Sequence, residues 1–255
     1  MIDIHCHILP GIDDGAKTME DSIDMAKAAL KEGIHTIIAT PHHKNGKYNN
    51  IKSDILPLVD QVNKRLKEEV VDVTILPGQE VRIFGEVVDD YQKGEILPLN
   101  GDSQYVFIEF PSNHVPRYTE RLLYDIQLAG LTPVIVHPER NSELIERPEK
   151  LYELVKNGAC TQVTASSLTG YFGKKIQKFS QQIIEANLTH FIASDAHNTH
   201  NRNFKMNEAM DFIEKQYGMD QLYFFTENTE LLIDNQNIYR EIPEPIKKKK
   251  FLGIF

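Results

Sequence analysis

Met1-Ile2-Asp3-Ile4-His5-Cys6-His7 opens the chain as a short β-branched run that ends in two imidazoles. Alternate residues on a strand face the same way, so His5 and His7 project to one side, where they can grip one cation, and Cys6 turns to the other. An isolated His-x-His says little, but the pattern recurs. Strand candidates lie at residues 1–4, 36–40, 73–76, 105–110, 133–136, 161–164 and 191–194, at steps of 28 to 37 residues. That step is the length of one strand-plus-helix unit. Helix candidates lie at 19–32, 54–69, 118–129, 148–156, 174–186 and 204–217. The first carries Met19, Ile23, Ala26 and Leu30 on one face, the second Ile55, Leu58, Val62 and Leu66. Seven alternating units predict an α/β fold with a parallel sheet, either a barrel or an open doubly wound sheet.

The residues at the strand ends favour the barrel. Asp14 follows the first strand; the second runs into Thr40-Pro41-His42-His43 and the third into Pro77-Gly78-Gln79-Glu80. Glu109 lies inside the fourth, His137 ends the fifth, and Asp195 and His197 end the seventh. Buried carboxylates are rarely tolerated unless paired or bound to metal. The carboxyl ends of barrel strands converge on one mouth, which would gather His5, His7, Asp14, His42, Glu80, Glu109, His137, Asp195 and His197 in a single cleft. Nine nitrogen and oxygen ligands exceed the four to six that one first-row ion takes and suit two or three ions sharing a carboxylate. With no thiolate among them, Mn²⁺, Fe²⁺ or Zn²⁺ fits better than Cu(I) or Ca²⁺.

Composition narrows the classes. The 255 residues are 41% apolar and 25% charged, with 28 Lys and Arg against 37 Asp and Glu, a net charge of −9. These values exclude a disordered or collagen-like chain and disfavour a general nucleic-acid binder. Two cysteines allow no disulfide framework. The start has no basic or apolar signal region, and no run approaches the ~18 apolar residues of a membrane span, so a cytoplasmic protein is expected. After Phe225 the helical pattern fades, and loose packing is expected from there on. Residues 1–240 read as one domain, with 241–255 as a Pro-containing tail. Within that tail, Lys247 to Lys250 precede Phe251-Leu252-Gly253-Ile254-Phe255, suiting at most a peripheral contact with an anionic membrane or partner.

The order His-x-His, a loop Asp, Pro41-His42-His43, Gly78-Gln79-Glu80, a strand Glu, Val136-His137-Pro138-Glu139-Arg140 and Ser194-Asp195-Ala196-His197 resembles the PHP (polymerase and histidinol phosphatase) superfamily of phosphoesterases. Within it, the opening through Gly15 is similar to the bacterial manganese-dependent tyrosine-protein phosphatases of capsule and exopolysaccharide operons. The likeness spans roughly residues 1–235. It implies a distorted (β/α)₇ TIM-like barrel with a metal centre at the carboxyl ends of its strands. It also implies that His5, His7, Glu80 and Asp195 hold one ion, that Glu80, Glu109 and His137 hold a second, and that Asp14, His42 and His197 hold a third.

Water activated by the ions would attack phosphorus. Arg140 and Arg202, each a few residues past a ligand histidine, are placed to bind the phosphoryl group and serve the catalysis, and the resemblance points to the same pair. A thiol mechanism fails on spacing: it needs an arginine six residues after the cysteine, where this chain has Ile12 and Ser166. The resemblance implies a phosphotyrosyl protein substrate, a bacterial tyrosine kinase of the polysaccharide export machinery. The loops at 44–53 and 111–121, with Tyr48, His114 and Tyr118, are placed to shape its seat. A histidinol-phosphate phosphatase is the alternative enzyme, and a non-catalytic binding module the alternative of another class.

Overall fold

The computed structural model describes residues 1–246; the Lys247 to Lys250 run and the five residues after it lie outside the described residues. Among the described residues there are nine parallel strands: β1 (Ile2–Cys6), β2 (Thr36–Ala39), β3 (His42–His43), β4 (Thr74–Pro77), β5 (Glu80–Arg82), β6 (Tyr105–Glu109), β7 (Thr132–Val136), β8 (Cys160–Thr164) and β9 (Phe191–Ala193). They form two sheets, ordered β1-β2-β4 and β3-β5-β6-β7-β8-β9. Only Thr40-Pro41 separates β2 from β3, and only Gly78-Gln79 separates β4 from β5. The nine strands therefore make seven staves. Hydrogen bonding continues across the breaks, with Thr40 N–H donating to Cys6 O at 2.9 Å and Glu80 N–H to Pro41 O at 3.0 Å.

The first and last staves meet. Asp195 N–H donates to His5 O and His7 N–H to Ala196 O, both at 2.8 Å, and Cys6 bridges Ala196 in parallel register. Below that seam the Asp3 carboxylate accepts from Ser194 N–H at 3.0 Å and from the Ser194 hydroxyl. The staves thus close on themselves as the strand-end residues predicted, in a distorted seven-stave barrel with helices outside.

Alternation along each stave produces two cores. Tyr105, Phe107, Val134, Val136, Cys160, Phe191 and Ala193 fill the interior. Their neighbours Val106, Ile108, Ile135, Val163 and Ile192 face the helices. In β1 the alternation is broken on purpose. The register slips between Asp3 and Cys6, a bulge that sends Ile4 into the inner core and Cys6 into the outer one although they are two residues apart. The same slip leaves His5 and His7 on the interior side.

The predicted helices appear as Met19–Lys31, Lys52–Glu68, Thr119–Leu128, Pro148–Lys156, Lys174–Glu185 and Met206–Tyr217. The first is capped by Thr18, whose hydroxyl accepts from Asp21 N–H at 3.1 Å. The expectation of loose packing after Phe225 is wrong. Met219–Ile233 is a helix with Phe225, Asn228, Thr229 and Leu232 buried. Two polar residues on its inward face hid the stripe. Asn228 is satisfied by main chain: its Nδ2 donates to His190 O and Tyr239 O, and its Oδ1 accepts from Tyr239 N–H at 2.8 Å. Beyond it the chain crosses the amino-terminal end of the barrel, where the Tyr105 hydroxyl donates to Gln236 O at 2.6 Å and Ile238 is buried.

His190 sits buried near this plug, its Nδ1 accepting from Thr161 N–H at 3.2 Å. Burial first, and then the Arg240 guanidinium, push its pKa from 6.5 down to about 3. The folded state keeps the ring neutral, whereas an unfolded chain takes up a proton below pH 6.5. His190 therefore contributes stability above that pH that is lost as the pH falls towards about 3. A His190→Asn variant is expected to lose urea-unfolding free energy less steeply than the parent between about pH 6.5 and pH 5. Parallel slopes in the two proteins would contradict this assignment.

Candidate metal centre

All nine residues singled out above come together at the carboxyl ends of the staves. Glu80 is at the middle. Its Oε1 is 2.8 Å from His137 Nε2 and 3.6 Å from His5 Nε2, and its Oε2 is 2.7 Å from His42 Nδ1 and 3.4 Å from His7 Nε2. Asp195 Oδ1 lies 3.5 Å from His5 and 3.4 Å from His7. Asp14 Oδ1 joins His42 Nε2 at 3.4 Å and His197 Nε2 at 3.5 Å, and Glu109 reaches His42 at 3.7 Å. The tightest groupings of ligand atoms are His7, Asp14, His42 and His197; His5, His7 and Glu80; and His42, Glu80 and Glu109. His7 and His42 thus stand between groups that the family resemblance keeps apart.

These side chains fit a group of cations. His5 Nε2, His7 Nε2, His42 Nδ1, His197 Nε2, Glu80 Oε2 and Glu109 Oε2 are buried and, despite these close approaches, make no well-aligned hydrogen bond. An isolated buried polar atom costs roughly 1–3 kcal/mol, so six on mutually facing side chains describe a place built for ligands that satisfy them. The donors are all imidazole or carboxylate, the set that Mn²⁺, Fe²⁺ and Zn²⁺ share.

The charges pull against one another. Burial works against the charge of Glu80, yet His42 and His5 hold it well below the usual carboxylate range. Asp195 is likewise held low against burial, by Arg140 and His5. Glu109 goes the other way, pushed up to about 7 by burial and by the neighbouring charge of Glu80. His137 and His197 fall to about 4, the first through burial and Arg140, the second through burial and His7. Both rings are therefore neutral at neutral pH, which is the ligating form.

The local backbone aims these groups. His137 and Asp195 adopt left-handed conformations with φ of +36° and +53°, a strain of about 1–3 kcal/mol each for non-glycine residues. Each turns a side chain into the mouth at the point where its strand ends. The loop after β1 folds back so that Ala16 N–H donates to His7 O at 3.1 Å. Gly15 allows that approach, because a Cβ there would collide with the His7 carbonyl.

Four positioning residues went unseen in the sequence. Asp13, 5% exposed, grips His7 Nδ1 through Oδ2 at 2.6 Å and accepts from Gly15 N–H through Oδ1 at 2.8 Å. Gln162 Oε1 meets His5 Nδ1 at 2.8 Å. Arg82 Nη2 donates to Glu109 Oε1 at 3.0 Å, and Asp3 locks the seam. Strand parity signals two of them: Gln162 follows the inward Cys160 by two on β8, and Arg82 pairs in register with Glu109. Asp3 gave no such signal, because the slip in β1 separates it from His5.

The two predicted arginines converge on one oxygen. Arg140 Nη2 is 2.6 Å and Arg202 Nη2 3.1 Å from Asp195 Oδ2. They border a cleft with His42, Ser112, His137 and Asn141. Of the loop residues expected to shape its mouth, Tyr48 lies parallel to the His42 ring at 6.2 Å. His114 instead points to Asn113, and the Tyr118 hydroxyl donates to Ile83 O. The 111–121 loop reaches the cleft through Ser112.

The family described as capsular polysaccharide synthesis, CpsB/CapC, matches residues 1–234. The chain belongs to this family. Tyrosine-protein phosphatase YwqE of Bacillus subtilis is 54% identical over 255 residues, all of both chains. Tyrosine-protein phosphatase CpsB of Streptococcus pneumoniae is 33% identical over 240 residues, 92% of this chain and 96% of that one. Among solved structures, one from the work on YwqE and CpsB as metal-dependent tyrosine phosphatases superposes with a TM-score of 0.95 at 55% identity, covering 97% of this chain and 100% of that one.

Because Asp13 fixes the ring of His7, replacing it by Asn is expected to weaken divalent-cation binding about 10–100-fold. Titration of the metal-stripped protein with Mn²⁺ checks this, with circular dichroism as the control for folding. An unchanged affinity would remove Asp13 from the centre.

Proposed function

We propose that this protein is a metal-dependent protein-tyrosine phosphatase of capsule or exopolysaccharide synthesis. The observation that carries the reading is the convergence of Arg140 and Arg202 beside a cluster of nine ligand side chains, because it sets two cationic forks next to a place for cations. Relatives aligned along 100% and 92% of the chain are named for the same activity. Among the described residues no helix is long and apolar enough to cross a membrane. We place the protein in the cytoplasm, acting through residues 1–240 as one domain on the phosphotyrosines of a bacterial tyrosine kinase and related proteins.

His5, His7, Asp14, His42, Glu80, Glu109, His137, Asp195 and His197 would hold two or three divalent ions, Mn²⁺ first, with Fe²⁺ or Zn²⁺ as alternatives. Bound there, the ions supply an activated water and neutralise phosphoryl charge. The protein does the rest. Each guanidinium has five donors, and the contacts with Asp195 use one nitrogen of each. The remaining N–H groups can hold phosphoryl oxygens in bidentate fashion. Asp195 holds both forks at one point and so sets the spacing between them. Asp13 and Gln162 fix the rings of His7 and His5, so that little reorganisation accompanies the reaction.

No thiol is available to this chemistry. Cys6 and Cys160 are buried, and burial pushes the first thiol well above its ordinary range and the second up to about 12. Three measurements test the proposal together: metal content of the purified protein, turnover of a phosphotyrosyl peptide against histidinol phosphate, and a variant set. Arg140→Ala is expected to lower kcat/KM for the peptide about 10²–10³-fold. The Cys6→Ser/Cys160→Ser double variant is expected to retain most turnover. A strong preference for histidinol phosphate would make this a small-molecule phosphatase. A protein without bound metal or metal-stimulated turnover would be a binding module.

A further inference from the structure

The turn that carries Arg140, Pro138–Arg140, is held from behind by the last residue of β8 and the chain that follows it. The fully buried Glu139 accepts there from Thr164 N–H at 3.0 Å and from the Ser167 hydroxyl at 2.7 Å. The chain then passes through Gly170-Tyr171-Phe172-Gly173, where both glycines have positive φ, +85° and +91°, and present the aromatic pair as a knuckle. The Phe172 ring is 5.5 Å from the Arg140 guanidinium carbon, and Tyr171 meets Phe172 edge-on at 5.4 Å. Tyr171 is 53% exposed.

Directly after the knuckle comes the helix Lys174–Glu185, which packs against the Arg140 turn. Gln177 fastens it, with Nε2 donating to Leu168 O at 2.9 Å. Its sequence, Lys-Lys-Ile-Gln-Lys-Phe-Ser-Gln-Gln-Ile-Ile-Glu, has no acid before Glu185. Lys174, Lys175 and Lys178 are all exposed. Among the described residues none of the three forms an ion pair, which they share with lysines elsewhere such as Lys64 and Lys67. What sets them apart is three lysines within five residues with no acid among them, the carboxylates nearest to Lys178 being Glu185 and Glu244 across a surface cavity. In a chain of net charge −9, an unneutralised basic row leading away from a phosphate-binding arginine is a patch of the opposite sign.

We propose that this face is the docking surface for the substrate polypeptide and that it selects phosphotyrosines flanked by carboxylate side chains. The inference rests on the phosphotyrosine reading above and deepens it. With the phosphate at Arg140 and Arg202, the peptide runs over the Tyr171–Phe172 knuckle, which offers apolar area at little conformational cost. The flanking residues then reach Lys174 and Lys178, one helical turn apart and separated by about 6 Å. An acidic flank matches this row, and a basic one is repelled.

The test uses the full-length, metal-loaded enzyme and three substrates: a phosphotyrosyl peptide with Glu and Asp flanks, the same peptide with Gln and Asn flanks, and p-nitrophenyl phosphate. The parent is expected to prefer the acidic peptide about tenfold in kcat/KM at low ionic strength, through KM, and to lose that preference as salt is raised. The Lys174→Glu/Lys175→Glu/Lys178→Glu variant is expected to abolish or reverse it. Tyr171→Ala is expected to raise KM for both peptides relative to p-nitrophenyl phosphate. A parent without flank preference, a triple variant that keeps it, or an equal loss on all three substrates would each overturn the docking surface. A parent that turns over p-nitrophenyl phosphate and neither peptide would instead overturn the phosphotyrosine reading itself.

Discussion

A single carboxylate, that of Glu80, is fully buried among four imidazoles, each within 3.6 Å of one of its oxygens. Such a group survives only where compensating charge is held rigidly around it, and those histidines come from three different staves, the carboxylate itself from a fourth. The arrangement therefore demands that the barrel close. Closure depends on the seam between β1 and the end of β9, where two main-chain hydrogen bonds and the Asp3 carboxylate join the first and last staves. The same seam carries His5, His7, Asp195 and His197. Closing the fold and assembling the site are one event in this chain.

Parity explains how an apolar barrel ends in a polar mouth. Tyr105 and Phe107 fill the interior of β6, and Glu109 is the next inward residue; Phe191 and Ala193 lead to Asp195 in the same way. On β8 the inward residue at that level is Gln162, which binds His5. A strand that packs correctly thus delivers its terminal side chain to the cleft without further specification. The exceptions are local. The bulge in β1 re-aims His5 and His7, and the left-handed residues His137 and Asp195 turn where a regular strand would have carried on.

The same parity decides how much was legible in the sequence. The seven runs stood out because an interior packed on one side and covered by helices on the other requires apolar residues on both, leaving nearly continuous β-branched stretches. The nine residues of the candidate centre stood out because imidazoles and carboxylates at the ends of such stretches have few other uses. The breaks between β2 and β3 and between β4 and β5 did not, because the staves continue through them. The helix Met219–Ile233 was hidden by Asn228 and Thr229, polar residues satisfied by main-chain groups, the first by His190 O and Tyr239 O and the second by Thr226 O one turn back. Asp13 was hidden by its neighbour: side by side in the sequence, Asp13 and Asp14 look alike, and only the fold shows one behind His7 and the other between His42 and His197.

An acidic chain that handles an anionic substrate poses an electrostatic question, which the layout answers by distance. Carboxylates dominate the total but are neutralised in place, Glu80 by imidazoles, Glu109 in part by Arg82, and Asp195 by two arginines. At physiological ionic strength charges separated by more than about 8 Å are largely screened, so an approaching phosphate responds to what lies within a turn or two of chain. What lies there is Arg140, Arg202 and the basic start of the helix Lys174–Glu185. Net charge then governs solubility and long-range repulsion between copies, and the local pattern governs binding. The two can have opposite signs in one molecule because the cluster buries the carboxylates of Glu80, Glu109 and Asp195 and leaves only Asp14 exposed.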